Sequence, residues 1–365
     1  MTERIGVNPE PEDHKYYIEI GSGLHNRFAQ YLQEYYPSGK VFLVSDENVY
    51  SLYGDKLNFM LQESGYEVIK YVVPAGEASK SNRYLQEGYN KLINNNFARN
   101  NFVIAFGGGV VGDLAGYLAA TYMRGLPVIQ IPTTLLAQVD SSVGGKTAIN
   151  HPKGKNLIGS FYQPVFVMID IDFLQTLPQR ELKSGMAEVI KYGLIDDMEF
   201  FKFLTKNKDN VYRLKQHIIL KIIKNCCQIK SDIVNVDQKE KGKRVILNFG
   251  HTIGHGLEAG KGYNGLKHGE AVAIGMIGAA ELSYRLGYLK ENELRQIKEV
   301  ISNYNFTVNI NIDPDEILKI MQHDKKVKDN KLRWVLLNSI GDTIIEEDID
   351  EELVKEVLGV LNCIK

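Results

Sequence analysis

Three histidines and a glutamate crowd a short stretch late in the chain. His251, His255 and Glu258 fall in Asn248-Phe249-Gly250-His251-Thr252-Ile253-Gly254-His255-Gly256-Leu257-Glu258, and His268 follows in His268-Gly269-Glu270. Two histidines four apart project from one face of a helix, the spacing with which H-x-x-x-H holds zinc. Glu258 shares that face. One such histidine would be an ordinary core residue; three between 251 and 268, in a chain with 8 histidines, favour a divalent metal site. A catalytic zinc takes three N or O ligands and keeps one position open. The candidates exceed three, so spacing leaves open which of His251 and His255 coordinates and which is free for proton transfer. Asn248, one helical turn before His251, and Arg244, four residues earlier, are candidates for binding substrate oxygens. Glu188 and Lys191 are three apart on one helical face, an ion pair when taken alone. Lys230 and the pair Lys325-Lys326 add positive charge that spacing cannot place.

A second chemistry is written in glycine. In Ala105-Phe106-Gly107-Gly108-Gly109-Val110-Val111-Gly112-Asp113, the residues Gly107, Gly109 and Gly112 have G-x-G-x-x-G spacing between an apolar strand and a helical stretch. Such glycines permit a tight turn and close approach of a pyrophosphate, and the helix N-terminus supplies free N–H groups. The ribose-binding acid expected about 20 residues further on is absent, and Asp46, after an earlier strand, is the alternative. Thr133 and Thr134 end another strand, where hydroxyls face the ligand crevice of an α/β fold. Asp140 and Lys146 flank a Ser/Gly turn that can bring a carboxylate and an ammonium to one ligand. Gly144-Gly145-Lys146-Thr147 fails as a P-loop, because its earlier glycine would fall at Asp140. The lysine-bearing turn Lys153-Gly154-Lys155-Asn156 adds donors suited to a phosphoryl or carboxylate group. A dinucleotide, a divalent metal and several lysines together suggest hydride transfer on an anionic polyol.

These residues need a scaffold, and the pattern supplies one. Apolar runs at 40–46, 68–73, 101–106, 128–131 and 165–170 alternate with helical spacing at 51–65 and 81–95, which is the signature of a parallel α/β sheet. From Pro178 the periodicity becomes helical: 181–195, 210–235, 272–286, 292–304 and 315–322, with one late strand at 331–337. The expected architecture is therefore α/β, a Rossmann-like parallel sheet domain over 1–177 followed by a mainly α-helical domain over 178–365. Length agrees, since 365 residues suit two domains. The formal net charge of −2 excludes a global basic field for nucleic acid or anionic membrane. The 3 cysteines make no disulfide framework, which suggests a reducing compartment. The start, Met1-Thr2-Glu3-Arg4, has no apolar stretch of a signal peptide, and no run approaches the roughly 20 apolar residues of a membrane span. The expectation is a cytoplasmic protein without nucleic-acid or membrane partners.

The motif series as a whole resembles the 3-dehydroquinate synthase family. It comprises Gly107 to Asp113, Pro132-Thr133-Thr134-Leu135-Leu136-Ala137, Asp140-Ser141-Ser142-Val143-Gly144-Gly145-Lys146, Gly154-Lys155-Asn156-Leu157-Ile158-Gly159, Gly185-Met186-Ala187-Glu188 and Gly250-His251-Thr252-Ile253-Gly254-His255, in the family's order and spacing. The resemblance covers nearly the whole chain. It implies a homodimer of the shikimate route to aromatic amino acids and chorismate, with NAD and one divalent metal, zinc or cobalt. The implied reaction turns 3-deoxy-D-arabino-heptulosonate 7-phosphate, a phosphorylated sugar acid, into 3-dehydroquinate and phosphate. Transient oxidation at C5, phosphate elimination, re-reduction, ring opening and intramolecular aldol closure make it redox-neutral.

By the same resemblance Glu188, His251 and His268 are the metal ligands, leaving His255 for substrate or proton transfer. Asp140, Lys146, Lys191, Asn248 and His255 are implied as catalytic. Asn156, Lys230, Arg244 and Lys326 are implied to bind substrate, and Arg124 to reach the partner subunit's site. NAD is implied to contact Asp46, Asn48, Gly76, Glu77, Lys80, Gly109, Val110, Val111, Gly112, Asp113, Thr133, Thr134, Lys146, Lys155, Phe173 and Thr176. Ala75 and Ala78 depart from the bulkier or acidic residues common in the family, a matter of detail at the cofactor site. The alternatives are another sugar phosphate cyclase, such as 2-deoxy-scyllo-inosose synthase, or a metal-dependent polyol dehydrogenase.

Overall fold

The computed structural model describes residues 2–7, 15–260, 265–306, 310, 312–325 and 332–362. Its contacts divide the chain into two compact units, one of residues 1–178 with 216–239 and the other of 179–215 with 240–365. The chain that enters the second unit at Gln179 thus returns to the first for 216–239. A single boundary drawn along the sequence does not represent that return.

The first unit is built on a seven-stranded sheet. Its strands are β1 (Glu3–Val7), β2 (Tyr16–Gly21), β3 (Lys40–Asp46), β4 (Glu67–Val73), β5 (Phe102–Gly107), β6 (Val128–Pro132) and β9 (Phe166–Asp170), in the order β1-β2-β9-β6-β5-β3-β4. All pairings are parallel except β1 with β2. Every residue of β5 and β6 is buried, as expected of parallel strands covered on both faces. Helices α1 (Phe28–Tyr35), α2 (Glu47–Val49), α3 (Asp55–Glu63), α4 (Asn82–Asn94) and α5 (Gly109–Thr121) connect them. One core joins Phe42, Val44, Tyr71 and Val103 to Leu114 and Leu118; the other joins Phe28, Leu43, Leu61 and Ile104 to Phe166 and Phe173. The strand order reverses between β3 and β5, each of which continues outward on its own side. In open parallel sheets ligands bind at such a switch point, outside the carboxyl ends of the strands.

Two antiparallel additions were not legible as strands. The hairpin of β7 (Lys146–His151) and β8 (Gly154–Phe161) forms its own two-stranded sheet. Gly154, Lys155 and Asn156 therefore open a strand, where the sequence suggested a turn. The leading hairpin β1–β2 carries the sheet edge.

The second unit begins with α6 (Gln179–Ile195) and α7 (Met198–Tyr212). Next comes α8 (Gln216–Val236), which lies in the first unit. The expected single helix over 210–235 is in fact two, broken where Leu214 takes φ 49°. The second unit resumes with a 3-10 turn (Lys243–Asn248), α9 (His251–Gly260), α10 (His268–Arg285), α11 (Glu291–Asn303), α12 (Pro314–Lys325), the hairpin β10 (Trp334–Ser339) with β11 (Asp342–Glu346), and α13 (Glu351–Leu361). Residues Ala271–Ser283 of α10 are buried without a break, so this helix is the centre of its unit rather than an amphipathic cover. Arg244, in the 3-10 turn, is 1% exposed. No described helix is long and apolar enough to cross a membrane.

Candidate active site

The residues expected to bind a dinucleotide follow the carboxyl ends of successive parallel strands. Asp46 ends β3, Gly76–Lys80 follow β4, Gly107–Asp113 follow β5, Thr133 and Thr134 follow β6, and Phe173–Thr176 follow β9. Parallel pairing puts all five segments on one edge of the sheet. Asp46 Oδ1 caps the start of α2, accepting from the N–H groups of Asn48 at 2.9 Å and Val49 at 3.1 Å. Glu77 Oε1 accepts from Asn150 Nδ2 at 2.8 Å. The Thr133 hydroxyl is buried and has no hydrogen-bond partner among the described residues, an orphan donor at the edge where a ligand is expected. Gln138, fully buried, ties β6 to β9 by donating to the carbonyls of Pro132 (3.2 Å) and Asp170 (2.9 Å). Spacing gave no sign of that brace.

The glycine turn is set by steric room rather than by backbone hand. None of Gly107, Gly108, Gly109 and Gly112 has positive φ, so the turn needs no left-handed backbone. Space decides instead: a Cβ on Gly107 would lie 2.6 Å from Val111 Cγ2, and one on Gly112 would lie 2.9 Å from Gln130 Oε1. Gly109 opens α5, whose free N–H groups suit an anion. Val111 is core, whereas Val110 is half-buried. Lys80, 5% exposed, donates to Asp113 across this turn. Burial pushes the Asp113 carboxyl above its ordinary range, with Lys80 opposing. The Phe173 ring is taken up in the core against Tyr53 (5.0 Å) and His25 (5.2 Å), while exposed Thr176 meets the Tyr53 hydroxyl at 2.8 Å.

Asp140 lies in the turn 137–141 and is held by Lys230 of α8, whose Nζ donates to Asp140 Oδ1 at 2.7 Å and to the Asp140 carbonyl at 2.6 Å. Nearby Cys227 is pushed up to about 12 by burial, with Lys230 opposing, so this thiol is inert near neutral pH. Lys146 and Asn156 are exposed on the β7–β8 hairpin, and Lys155 is half-buried there. Asn156 takes φ 57°, its N–H donating to Asn150 Oδ1 at 2.9 Å. Arg124 stands exposed after α5 with φ 70°, between Met123 at 49° and Gly125 at 128°.

In the second unit the donors converge. Glu188, His251 and His268 each offer one ligand atom, and the three atoms lie within 4.8 Å of one another. Glu188 Oε1 is 3.3 Å from His251 Nε2 and 3.1 Å from His268 Nε2. Glu188 Oε2 is 2.5 Å from Lys191 Nζ, and both side chains are buried. The pair is thus internal, not the surface pair that spacing alone suggests. Burial works against the Glu188 charge, yet Lys191 and His251 outweigh it and hold the carboxyl well below its ordinary range. Burial likewise opposes a proton on His268, but Glu188 and Glu258 prevail and push it up to about 10. Two imidazoles and a carboxylate are a donor set that suits a divalent cation of the zinc or cobalt kind. His251 Nδ1 faces the Phe249 carbonyl at 3.1 Å, which fixes the N–H there and leaves the Nε2 lone pair toward Glu188.

Glycines set the ligand helices at backbone distance. A Cβ on Gly269, next to His268, would lie 2.0 Å from the Ser184 carbonyl oxygen, one turn before Glu188. A Cβ on Gly275 would lie 2.0 Å from the carbonyl oxygen of Gly250, which has φ 77° just before His251. His255 is exposed, its ring centroid 5.4 Å from that of His251. Asn248 donates to Glu240 at 2.7 Å, and Arg180 forms a two-pronged pair with Glu270 at 2.9 and 2.8 Å, bracing the start of α10. Neither Glu240 nor Arg180 stood out in the sequence. His217 lies at the exposed start of α8, apart from the histidine cluster. Lys326 lies outside the described residues.

Comparison with known proteins settles the family. The 3-dehydroquinate synthase N-terminal family model matches residues 70–184, and the 3-dehydroquinate synthase C-terminal model matches residues 185–327. The chain belongs to the 3-dehydroquinate synthase family. A 3-dehydroquinate synthase of Desulforamulus reducens is 46% identical over 95% of this chain and 96% of its own length. Among solved structures, the 2-epi-5-epi-valiolone synthase of Streptomyces hygroscopicus, with NAD+ and Zn2+ bound, has a TM-score of 0.88 at 28% identity, covering 95% of this chain and 96% of its own. A 2-deoxy-scyllo-inosose synthase complexed with carbaglucose-6-phosphate, NAD+ and Co2+ has a TM-score of 0.86 at 28% identity, covering 98% and 99%. The family's neighbours thus share the α/β-then-helical architecture expected from the sequence.

Proposed function

We propose that this chain catalyses the 3-dehydroquinate synthase reaction, using NAD and one divalent ion, zinc or cobalt. The observation that carries the reading is the convergence of Glu188, His251 and His268 within 4.8 Å in a chain of this family. The proposed division of labour gives residues 1–177 the NAD and residues 178–365 the metal and most of the substrate. When bound, NAD+ accepts and returns a hydride, and the ion acidifies the hydroxyl being oxidised. Glu188, His251 and His268 would hold that ion.

The chain's own residues bind and move protons. Lys146, Lys230, Arg244 and Lys326 neutralise the substrate's carboxylate and phosphate, Asn156 hydrogen-bonds to them, and Arg124 is supplied across a homodimer. The glycine turn and Lys80–Asp113 receive the dinucleotide. His255, exposed and beside His251, lies outside the proposed ligand set and takes the proton-transfer role with Asp140, Lys191 and Asn248. The net charge, the cysteine usage and the family's biosynthetic role support a cytoplasmic enzyme of the shikimate route.

The test offers the heptulosonate phosphate with catalytic NAD+. Phosphate release without net NADH is expected, whereas stoichiometric NADH would mark a polyol dehydrogenase. The inosose synthase likeness supports a second arm, in which turnover of glucose 6-phosphate alone would move the assignment to that cyclase. For the dimer, mixing Arg124→Ala subunits with Lys146→Ala subunits should restore about one good site per heterodimer. No recovery would sink the shared site.

A further inference from the structure

We infer that Glu258 is a positioning residue for the metal centre, acting through His268, an assignment that rests on the ligand set proposed above. His268 presents Nε2 to Glu188 Oε1 at 3.1 Å and Nδ1 to Glu258 Oε2 at 3.6 Å. A neutral imidazole has one lone pair and one N–H. If Nε2 faces the ion, Nδ1 carries the hydrogen and needs an acceptor. The Glu258 carboxylate stands on that side, within ion-pairing reach, and is 3% exposed. His251 repeats the design with a different acceptor, its Nδ1 facing the Phe249 carbonyl at 3.1 Å. Both rings therefore turn Nε2 inward and Nδ1 to a fixed acceptor. The two acceptors are unequal: the carbonyl only orients its ring, whereas the carboxylate orients and also raises the basicity of its ligand.

Glu258 reaches this place through α9. It lies seven residues after His251, two turns along the same face, and α9 packs closely on α10, as the 3.2 Å approach of a Gly254 Cβ to the Ala271 carbonyl requires. A rival arrangement exists in the same atoms. His255, Glu258 and His268 also offer ligand atoms within 4.8 Å of one another, which would make Glu258 a ligand of a second ion sharing His268. That would require His268 to give up its one N–H and bridge two ions as an imidazolate, whereas the positioning role needs only the neutral ring.

The experiment measures zinc affinity by competition with a chromophoric chelator, and the visible spectrum of the cobalt-loaded protein, for wild type, E258Q and E258A. The glutamine keeps an acceptor without the charge; the alanine removes both. The expected order is wild type, then E258Q, then E258A, with E258A weaker by about 10–100-fold and a shifted cobalt spectrum at one ion per chain. Circular dichroism and thermal melting of the metal-free variants check that they fold; E258Q carries the test if E258A does not. Equal affinity and unchanged spectra in a folded variant would overturn the inference. So would two ions in wild type with one lost in E258Q, which would make Glu258 a ligand. If wild type itself binds no ion, the ligand set proposed above fails first, a result distinct from either.

Discussion

The sheet edge of the first unit and the donor cluster of the second, the two candidate ligand sites, are built of opposite materials. At the edge, position comes largely from backbone: five strand ends in register and glycines that let a helix start close to its strand, with the Lys80–Asp113 pair beside them. In the cluster, position comes from buried side chains. Burial opposes charge on Glu188 and His268, and charged or hydrogen-bonding neighbours, Lys191 and His251 for the first and Glu188 and Glu258 for the second, offset it. A backbone-built site tolerates exchange of most side chains but not added volume. A side-chain-built site tolerates modest repacking but not loss of a single partner, because the group left behind is a buried, uncompensated charge or donor.

Substitutions in each region should separate these regimes. The largest effect is expected from His251→Ala, which should strip the ion and lower activity at least about 10³-fold. Polarisation by a metal is worth several kcal/mol, and each 1.36 kcal/mol is a decade; metal analysis beside the assay checks it. His255→Ala should keep the ion yet lower kcat about 10²–10⁴-fold, the range for one acid–base group. Equal loss of metal in both variants would erase the distinction between ligand and proton carrier. Gly107→Ala should leave metal affinity alone but destabilise the protein by about 1–3 kcal/mol in urea unfolding, the cost of overpacking against Val111.

The smallest effect concerns Asp170, whose carboxylate accepts from the N–H groups of Gly23, His25 and Asp172 at 3.1, 2.8 and 3.0 Å and pairs with His25 Nδ1 at 2.5 Å. Burial alone would raise this carboxyl, but His25 and the backbone donors hold it below its ordinary value. A depressed carboxyl stabilises the fold fully above the unfolded value of about 3.9 and stops doing so as pH falls through the lower folded value. Asp170→Asn should therefore cost about 1 kcal/mol near neutrality. Its melting temperature should also fall less steeply than wild type below pH 4; parallel curves would refute the assignment.

How much of this was legible in sequence depended on the range of the interaction. The inner parallel strands were readable because a strand buried on both faces is an unbroken apolar run, as in Phe102–Phe106. The glycine turn was readable for its spacing, but not for the steric room that Gly107 leaves for Val111, because the same letter also serves left-handed backbone. The hairpin at 146–161 was missed because β8 is largely exposed, with Leu157 57% and Phe161 42% accessible, so no alternation marks it. The burial of Glu188 with Lys191 was out of reach: two charges three apart on a helix look alike on a surface and in a core. Glu258 was visible on the histidine face, but its partner His268 lies on another helix, and pairing between elements is not written in local spacing. The glycines at 250, 254, 269 and 275 were the available signal, since four in helices or at their starts ask for something packed against them.

The return of α8 to the first unit bears on how the protein is made. Asp140 and Lys230 are 90 residues apart, and the intervening chain includes the whole of α6 and α7. On the ribosome, Asp140 emerges long before its lysine, so this turn must wait, unsecured, while the opening helices of the other unit are synthesised. Contacts of such sequence separation form late and slowly. Neither unit is one continuous stretch, so no single cut yields two fragments that each contain a complete unit. An exchange of halves with a relative, joined at Pro178, would carry Lys230 away from the carboxylate it holds. Shuffling this enzyme by domains would succeed only with the segment 216–239 moved alongside the sheet.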